Sequence, residues 1–197
     1  GSSTGNMLVD NKNILENIFS QAKTIISAHC EDENIIKTNT AHYKQEYEGK
    51  ETPYNIHNLI RTTKACYEST AFAVELAKKH NTKLHIAHIS SKAELDLLEQ
   101  GDIKNKTITA EVSPNHLWFY EEDFKKYGNL IKCNPSIKTL EDREALRKAL
   151  KEDKIDIIAT DHAPHRWEEK NKNYFEAPSG MPSIQHSLLI MLELVNQ

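Results

Sequence analysis

IIATDHAPH, residues 157–165, runs two isoleucines through Ala159 and Thr160 into Asp161, His162 and His165, with Pro164 among them. An apolar run of this kind reads as a buried strand, and its end is crowded with carboxylate and imidazole groups. In parallel α/β sheets and barrels the C-terminal strand ends are where active sites form. The stretch therefore predicts a parallel strand that delivers chemistry to the mouth of a sheet.

Working outward, the same alternation recurs. LEDREALRKALKED (140–153) predicts a helix with acidic residues in its first turn, as the helix dipole prefers. KTITAEVSP (106–114) predicts a strand closed by Pro114, and Lys92–Glu99 a short helix ending near Gly101 as its C′ glycine. KLHIAHIS (83–90) predicts another strand, preceded by a turn at Asn81 and Thr82 and a helix from about Leu59 to His80. Residues 30–58 read as one long polar loop, Thr24–His29 as a first strand, and Lys12–Lys23 as a helix carrying Ile14, Leu15, Ile18, Phe19 and Ala22 at helical spacing. SIQHSLLIMLELVNQ (183–197) reads as an amphipathic helix. Strands alternating with helices imply parallel βα units, so the fold class is α/β: an open doubly wound sheet, or half of a (β/α)8 barrel.

The polar residues decide how the units are used. His29 ends the first strand, His88 lies near the end of the second, Glu111 and Ser113 end the third and Asp161 the fourth. Strict alternation puts Ile25, Ser27 and His29 on one face, likewise Leu84, Ile86 and His88, and likewise Ile157, Ala159 and Asp161. It turns Cys30 away from the mouth and His85 toward the helices. One strand-end histidine reads as a hydrogen-bonded structural residue. Two imidazoles and a carboxylate at equivalent strand ends suit a divalent transition metal, with zinc the best match. His42 and His57 read as surface loop histidines, and Tyr43, Tyr47 and Tyr54 as loop-packing anchors. Glu168, Glu169 and Lys170 read as a solvated charge run, and His162 as a supporting residue near the site.

Composition bounds the class. With 197 residues the chain can hold one domain. Its 25 basic and 29 acidic residues leave a net charge of −4, with no basic footprint for nucleic acid. No apolar run approaches the roughly 20 residues that span a bilayer, so no membrane partner is expected. Three widely spaced cysteines, Cys30, Cys66 and Cys133, argue against a disulfide framework and for a reducing, cytoplasmic setting.

HCED (29–32), LHIAHISS (84–91), CNPSIKTLEDREAL (133–146), IDIIATDHAPH (155–165) and APSG (177–180) occur in this order. Together they resemble the C-terminal half of a dihydroorotase of the amidohydrolase superfamily, over nearly the whole chain. The resemblance implies an incomplete (β/α)8 barrel, strands five to eight with their helices, in which residues 1–197 form the C-terminal part of the barrel domain. It implies His29, His88 and Asp161 as metal ligands, Asp161 also as the catalytic general base and acid, and two Zn2+ per intact site. It implies substrate contacts from Asn134 and His165 and from the backbone around Ala177 and Gly180. The substrate would be a small molecule, N-carbamoyl-L-aspartate or L-dihydroorotate, in de novo pyrimidine biosynthesis.

Departures from the family pattern matter. No His-x-His pair occurs, nor a bridging lysine or aspartate at the expected place, and Asp10 is a poor substitute because its surroundings read as a helix start. The chain has PNHL (114–117) where relatives often show PHHL, which leaves Asn115 without a role and His116 as a supporting group. The expectation is therefore half a site on a fragment with little activity of its own. Its four strands would have open edges, or edges covered by a second copy in a homodimer. Two other readings stand beside it: an allantoinase- or hydantoinase-type cyclic amidohydrolase, and a non-catalytic dihydroorotase-like scaffold subunit.

Overall fold

The computed structural model describes residues 9–196. Helix α1 (Lys12–Gln21) starts where the Asn11 side chain accepts the N–H groups of Asn13 and Ile14. Strand β1 (Ile26–Ala28) follows, then α2 (Glu33–Glu46), α3 (Ile56–Ile60) and α4 (Thr63–His80). Thr62 caps the start of α4, and Asn81 closes it at φ 52°, the left-handed conformation that asparagine tolerates. After β2 (Leu84–Ile86) and a 3-10 turn over Lys92–Leu97 come β3 (Ile108–Val112), α5 (Pro114–Trp118) and α6 (Phe124–Tyr127). The chain ends with α7 (Leu140–Lys151), β4 (Ile157–Ile158), α8 (Trp167–Lys170) and α9 (Ile184–Asn196). Thr139 and Asp142 form a reciprocal capping box at the start of α7.

The strands form one parallel sheet in the order β1-β2-β3-β4, with β1 and β4 at its edges. Its α-side face carries Leu84, Ile86, Ala110 and Val112, each fully buried in a cluster with Ala73, Val74, Leu76 and Ala77 of α4 and Leu146 and Ala149 of α7. At about 1.5–3 kcal/mol for each large side chain buried, this layer holds the sheet to its helices. The opposite face carries Ser27, His85 and Thr109 side by side, with Glu111 beside Ile157. The mouth of this open face is where His29 and His88 come together.

The sheet corrects the simple alternation for the second strand. Leu84 and Ile86 point to the helices, and His85 points to the open face, bonding Thr109 Oγ1 at 2.9 Å and Glu111 Oε2 at 3.0 Å. His88 reaches the mouth only because β2 ends at Ile86 and the chain turns through φ 36° at His88. Residues 30–58 are likewise not a loop. Asp32 accepts the N–H groups of Asn34 and Ile35 and starts α2, whose Ile36 packs with Ile56 and Ile60 of α3. Gly101 is no helix cap, since the 3-10 turn before it closes at Leu98.

Along α9, Leu188, Leu189 and Val195 face outward, while Met191 and Leu194 pack on the core. Among the described residues no helix is long and apolar enough to cross a membrane.

Candidate metal centre and active site

The ends of β1 and β2 bring His29 and His88 together. His29 Nδ1 lies 3.0 Å from His88 Nε2, and the two rings meet edge to face with centroids 4.7 Å apart. The outer nitrogen of His29, Nε2, lies 2.8 Å from Glu31 Oε2, and Glu31 also accepts Arg61 Nη1. Burial works to raise the Glu31 carboxyl, but the His29 bond and the Arg61 charge outweigh it and hold it down at about 2. An ionised Glu31 can only accept, so it favours a ring N–H on His29 Nε2 and leaves Nδ1 toward His88. Burial, then the neighbouring His29, keep the His88 imidazole below its usual range, with Asp161 and Glu31 pulling the other way. Glu111 holds the His88 backbone, its Oε1 accepting that N–H at 3.3 Å.

Beyond β4 the backbone turns left-handed at Asp161, φ 44°. Positive φ at a non-glycine residue is strained and gathers at functional sites, and here both His88 and Asp161 show it. Asp161 stands exposed at the mouth, close enough for its charge to act on His88. His162 turns away from the mouth: its Nδ1 accepts the N–H groups of Ser183 and Ile184 and caps α9. His165 bonds the Ser179 carbonyl at 3.1 Å across a tight approach that only glycine permits at position 180. A Cβ on Gly180 would fall 2.5 Å from the Ala163 carbonyl and 2.9 Å from His165 Nε2, at φ 139°.

Asn134, joined to Pro135 by a cis peptide, has a buried Oδ1 with no hydrogen-bond partner among the described residues. Ala177 and Gly180 are different. Their N–H groups bond Asn173 and Lys132 carbonyls, and their carbonyls accept the ammonium groups of Lys132 and Lys170. Neither residue keeps a free N–H for an anion. Lys170, read as part of a solvated run, is buried and bonds three carbonyls; burial lowers it to about 8, and burial and then Lys170 lower Lys132 to about 8.

Two histidines stand behind the site. His57 is buried, contrary to its reading as a surface residue, and bridges Tyr174 Oη and the Cys133 carbonyl. His116 joins Ser113 Oγ to the Pro135 carbonyl, and burial pushes it down to about 3. Asn115 bonds Ser183 Oγ, and Cys30 is buried in the helical core. His42 is exposed beside Glu46, and Asp10 lies exposed near Lys37.

The donor set bears on a metal directly. Among the described residues no group of three or more His, Cys, Asp or Glu side chains is gathered tightly enough to hold an ion. The pair His29 and His88 nevertheless has the chemistry of ligands: facing ring nitrogens, with the outer nitrogen of His29 held by a carboxylate.

Known proteins share this arrangement of sequence. The chain is 34% identical over 177 residues to a dihydroorotase of Sulfurihydrogenibium sp. (strain YO3AOP1), covering 88% of this chain and 40% of that protein. It is 32% identical over 190 residues to a dihydroorotase of Clostridium acetobutylicum, covering 95% of this chain and 43% of the other. The chain belongs to the dihydroorotase family. It corresponds to the C-terminal half and spans about two fifths of the length of the curated relatives it matches. No protein-family model matches it. In fold it resembles the L-hydantoinase (dihydropyrimidinase) of Arthrobacter aurescens, with TM-score 0.83, 23% identity, and 96% of this chain and 43% of that one covered. It also resembles a Saccharomyces cerevisiae dihydroorotase in complex with 5-fluoroorotic acid, with TM-score 0.60, 19% identity, and 67% and 38% covered.

Sequence pattern alone does not mark Glu31 and Glu111 as partners of the two histidines. HCED carries a usable signal, an acid two residues past a strand-end histidine, but Glu111 reaches His88 only through the β2–β3 register.

Proposed function

We propose that this chain supplies the C-terminal part of the active site of a metal-dependent dihydroorotase that interconverts N-carbamoyl-L-aspartate and L-dihydroorotate. The observation that carries the reading is the pair of ring nitrogens of His29 and His88, 3.0 Å apart at the mouth of the sheet, in a chain whose relatives are dihydroorotases. The four strands are the last four of a (β/α)8 barrel, and residues outside this chain complete the metal and substrate sites. The separated chain then has little activity.

His29 and His88 would hold one zinc ion and Asp161 another. Zinc supplies Lewis acidity, which makes water a competent nucleophile near neutral pH and polarises the carbonyl under attack. Asp161, exposed at the mouth, takes the proton from the attacking water and returns it to the leaving amide nitrogen. Asn134, whose Oδ1 has no partner among the described residues, and His165, beside Gly180, would orient the substrate by hydrogen bonds. The carbonyl contacts of Lys132 and Lys170 brace the 174–180 segment behind it.

The hydantoinase folds support a second reading, a cyclic amidohydrolase of different ring preference. Assay of the intact enzyme with dihydroorotate, allantoin and dihydrouracil separates the two. Turnover of dihydroorotate is expected; turnover of only the other two rings would refute the proposal. Metal analysis of the same preparation tests a scaffold role, for which no bound zinc is expected.

A further inference from the structure

We propose that Glu31 is the positioning residue of this site: it fixes the ring orientation and the bare nitrogen of His29, and Arg61 fixes Glu31. The inference rests on His29 being a metal ligand. Glu31 Oε2 touches both His29 Nε2, at 2.8 Å, and Arg61 Nη1, and its side chain is only 2% exposed. A buried carboxylate is costly unless paired, and this one is paired on both sides of a single oxygen.

The geometry leaves Glu31 little freedom. It sits between His29 at the end of β1 and Asp32, whose N–H bonds the Ala65 carbonyl at 2.9 Å and whose side chain starts α2. Arg61 is tied in turn: its carbonyl accepts Ser136 Oγ at 2.9 Å and Lys138 Nζ at 3.0 Å. One connected line thus runs from His29 through Glu31 and Arg61 to Ser136, two residues from Asn134. Arg61 thus reaches both ends, its guanidinium holding Glu31 and its backbone carbonyl holding Ser136. Partners of this kind fix the tautomer of a ligating imidazole and raise its basicity.

The test begins without metal, by nitrogen-15 NMR of the histidine rings in the chain. The His29 Nε2 proton should exchange slowly with solvent, and Glu31→Ala should abolish its signal. The ring protons of His57 and His116, donated to the Cys133 and Pro135 carbonyls, should persist and report an intact fold. If they vanish too, Glu31→Ala with Arg61→Met removes the stranded charge, and the same loss at His29 is expected on a folded chain. Absence of the His29 signal from the unsubstituted chain, or its survival after Glu31 is removed, overturns the proposal. Titration of the intact enzyme with Zn2+ should then show affinity about 10–100-fold weaker in Glu31→Ala. Glu31→Gln, whose amide oxygen still accepts, should recover part of it. Equal zinc affinity in Glu31→Ala overturns the positioning role, whereas zinc binding to neither protein refutes the metal reading and leaves the ring-proton result to decide Glu31.

Discussion

The imidazole Nδ1 of His162 accepts the backbone N–H of Ser183 at 3.0 Å and of Ile184 at 3.2 Å, so a side chain beyond β4 closes the start of α9. Ser183 precedes α9 and Ile184 is its first residue, so neither N–H has an intrahelical acceptor. His162→Ala should cost about 1 kcal/mol, as other cap removals do. The melting temperature should fall by about 2–4 °C for a domain of this size. Calorimetry checks it, and His162→Asn, which keeps an acceptor, should lose less.

Lys106 and Asp156 form an ion pair of 2.7 Å with side chains only 4% and 2% exposed, and Asp156 Oδ2 also accepts the Ala110 N–H. Lys106→Met leaves a buried carboxylate beside β3 without its cation. Breaking such a pair costs about 3–5 kcal/mol, more than the apolar side chain regains. The denaturation midpoint in guanidinium should drop accordingly, and an unchanged midpoint would mean water already reaches Asp156.

The units of this fold were legible because their apolar patterns are local. α1, β1, β3 and α7 lie where their spacing puts them, whereas the helix expected from about Leu59 is two, α3 ending at Ile60 and α4 starting at Thr63. What failed depended on partners far away in sequence. α2 is polar over most of its surface, and its Ile36 becomes a core residue only against Ile56 and Ile60. His57 is buried by Tyr174, 117 residues on, which no loop pattern reveals. Alternation fails for β2 because the strand is only three residues long and the backbone turns left-handed at His88 itself. His29 and His88 were found as candidate ligands through strand ends and resemblance, whereas Glu31 and Glu111 needed the three-dimensional neighbourhood.

Acid should unfold the chain in two stages. Burial holds His116 down to about 3 and His57 well below its usual value, so the unfolded state binds more protons than the folded one below about pH 6.5. Their stabilisation is full above that pH and falls as pH drops toward about 3. Glu31, held at about 2 against an ordinary value near 4.3, adds stability that is full above pH 4.3 and lost as pH falls toward 2. Urea midpoints at pH 7, 5.5 and 4 should decline steadily, and His116→Gln should flatten the slope between pH 6.5 and 4. A flat wild-type profile over that interval would contradict the burial of both rings.

Asp161→Asn separates chemistry from folding. At φ 44° the backbone at Asp161 is left-handed, a state that asparagine and aspartate both bear better than other side chains. The substitution removes a proton carrier but keeps shape and conformation, and the side chain is exposed. Stability should stay within about 0.5 kcal/mol of the parent, the usual range for surface changes. Dihydroorotate turnover by the intact enzyme should fall by about 10²–10⁴, the span attributed to general acid–base catalysis. Thermal melts and steady-state kinetics on the same preparation check both halves. A melt that drops along with the rate would assign Asp161 to the fold, and a rate that survives would return the proton transfer to another group.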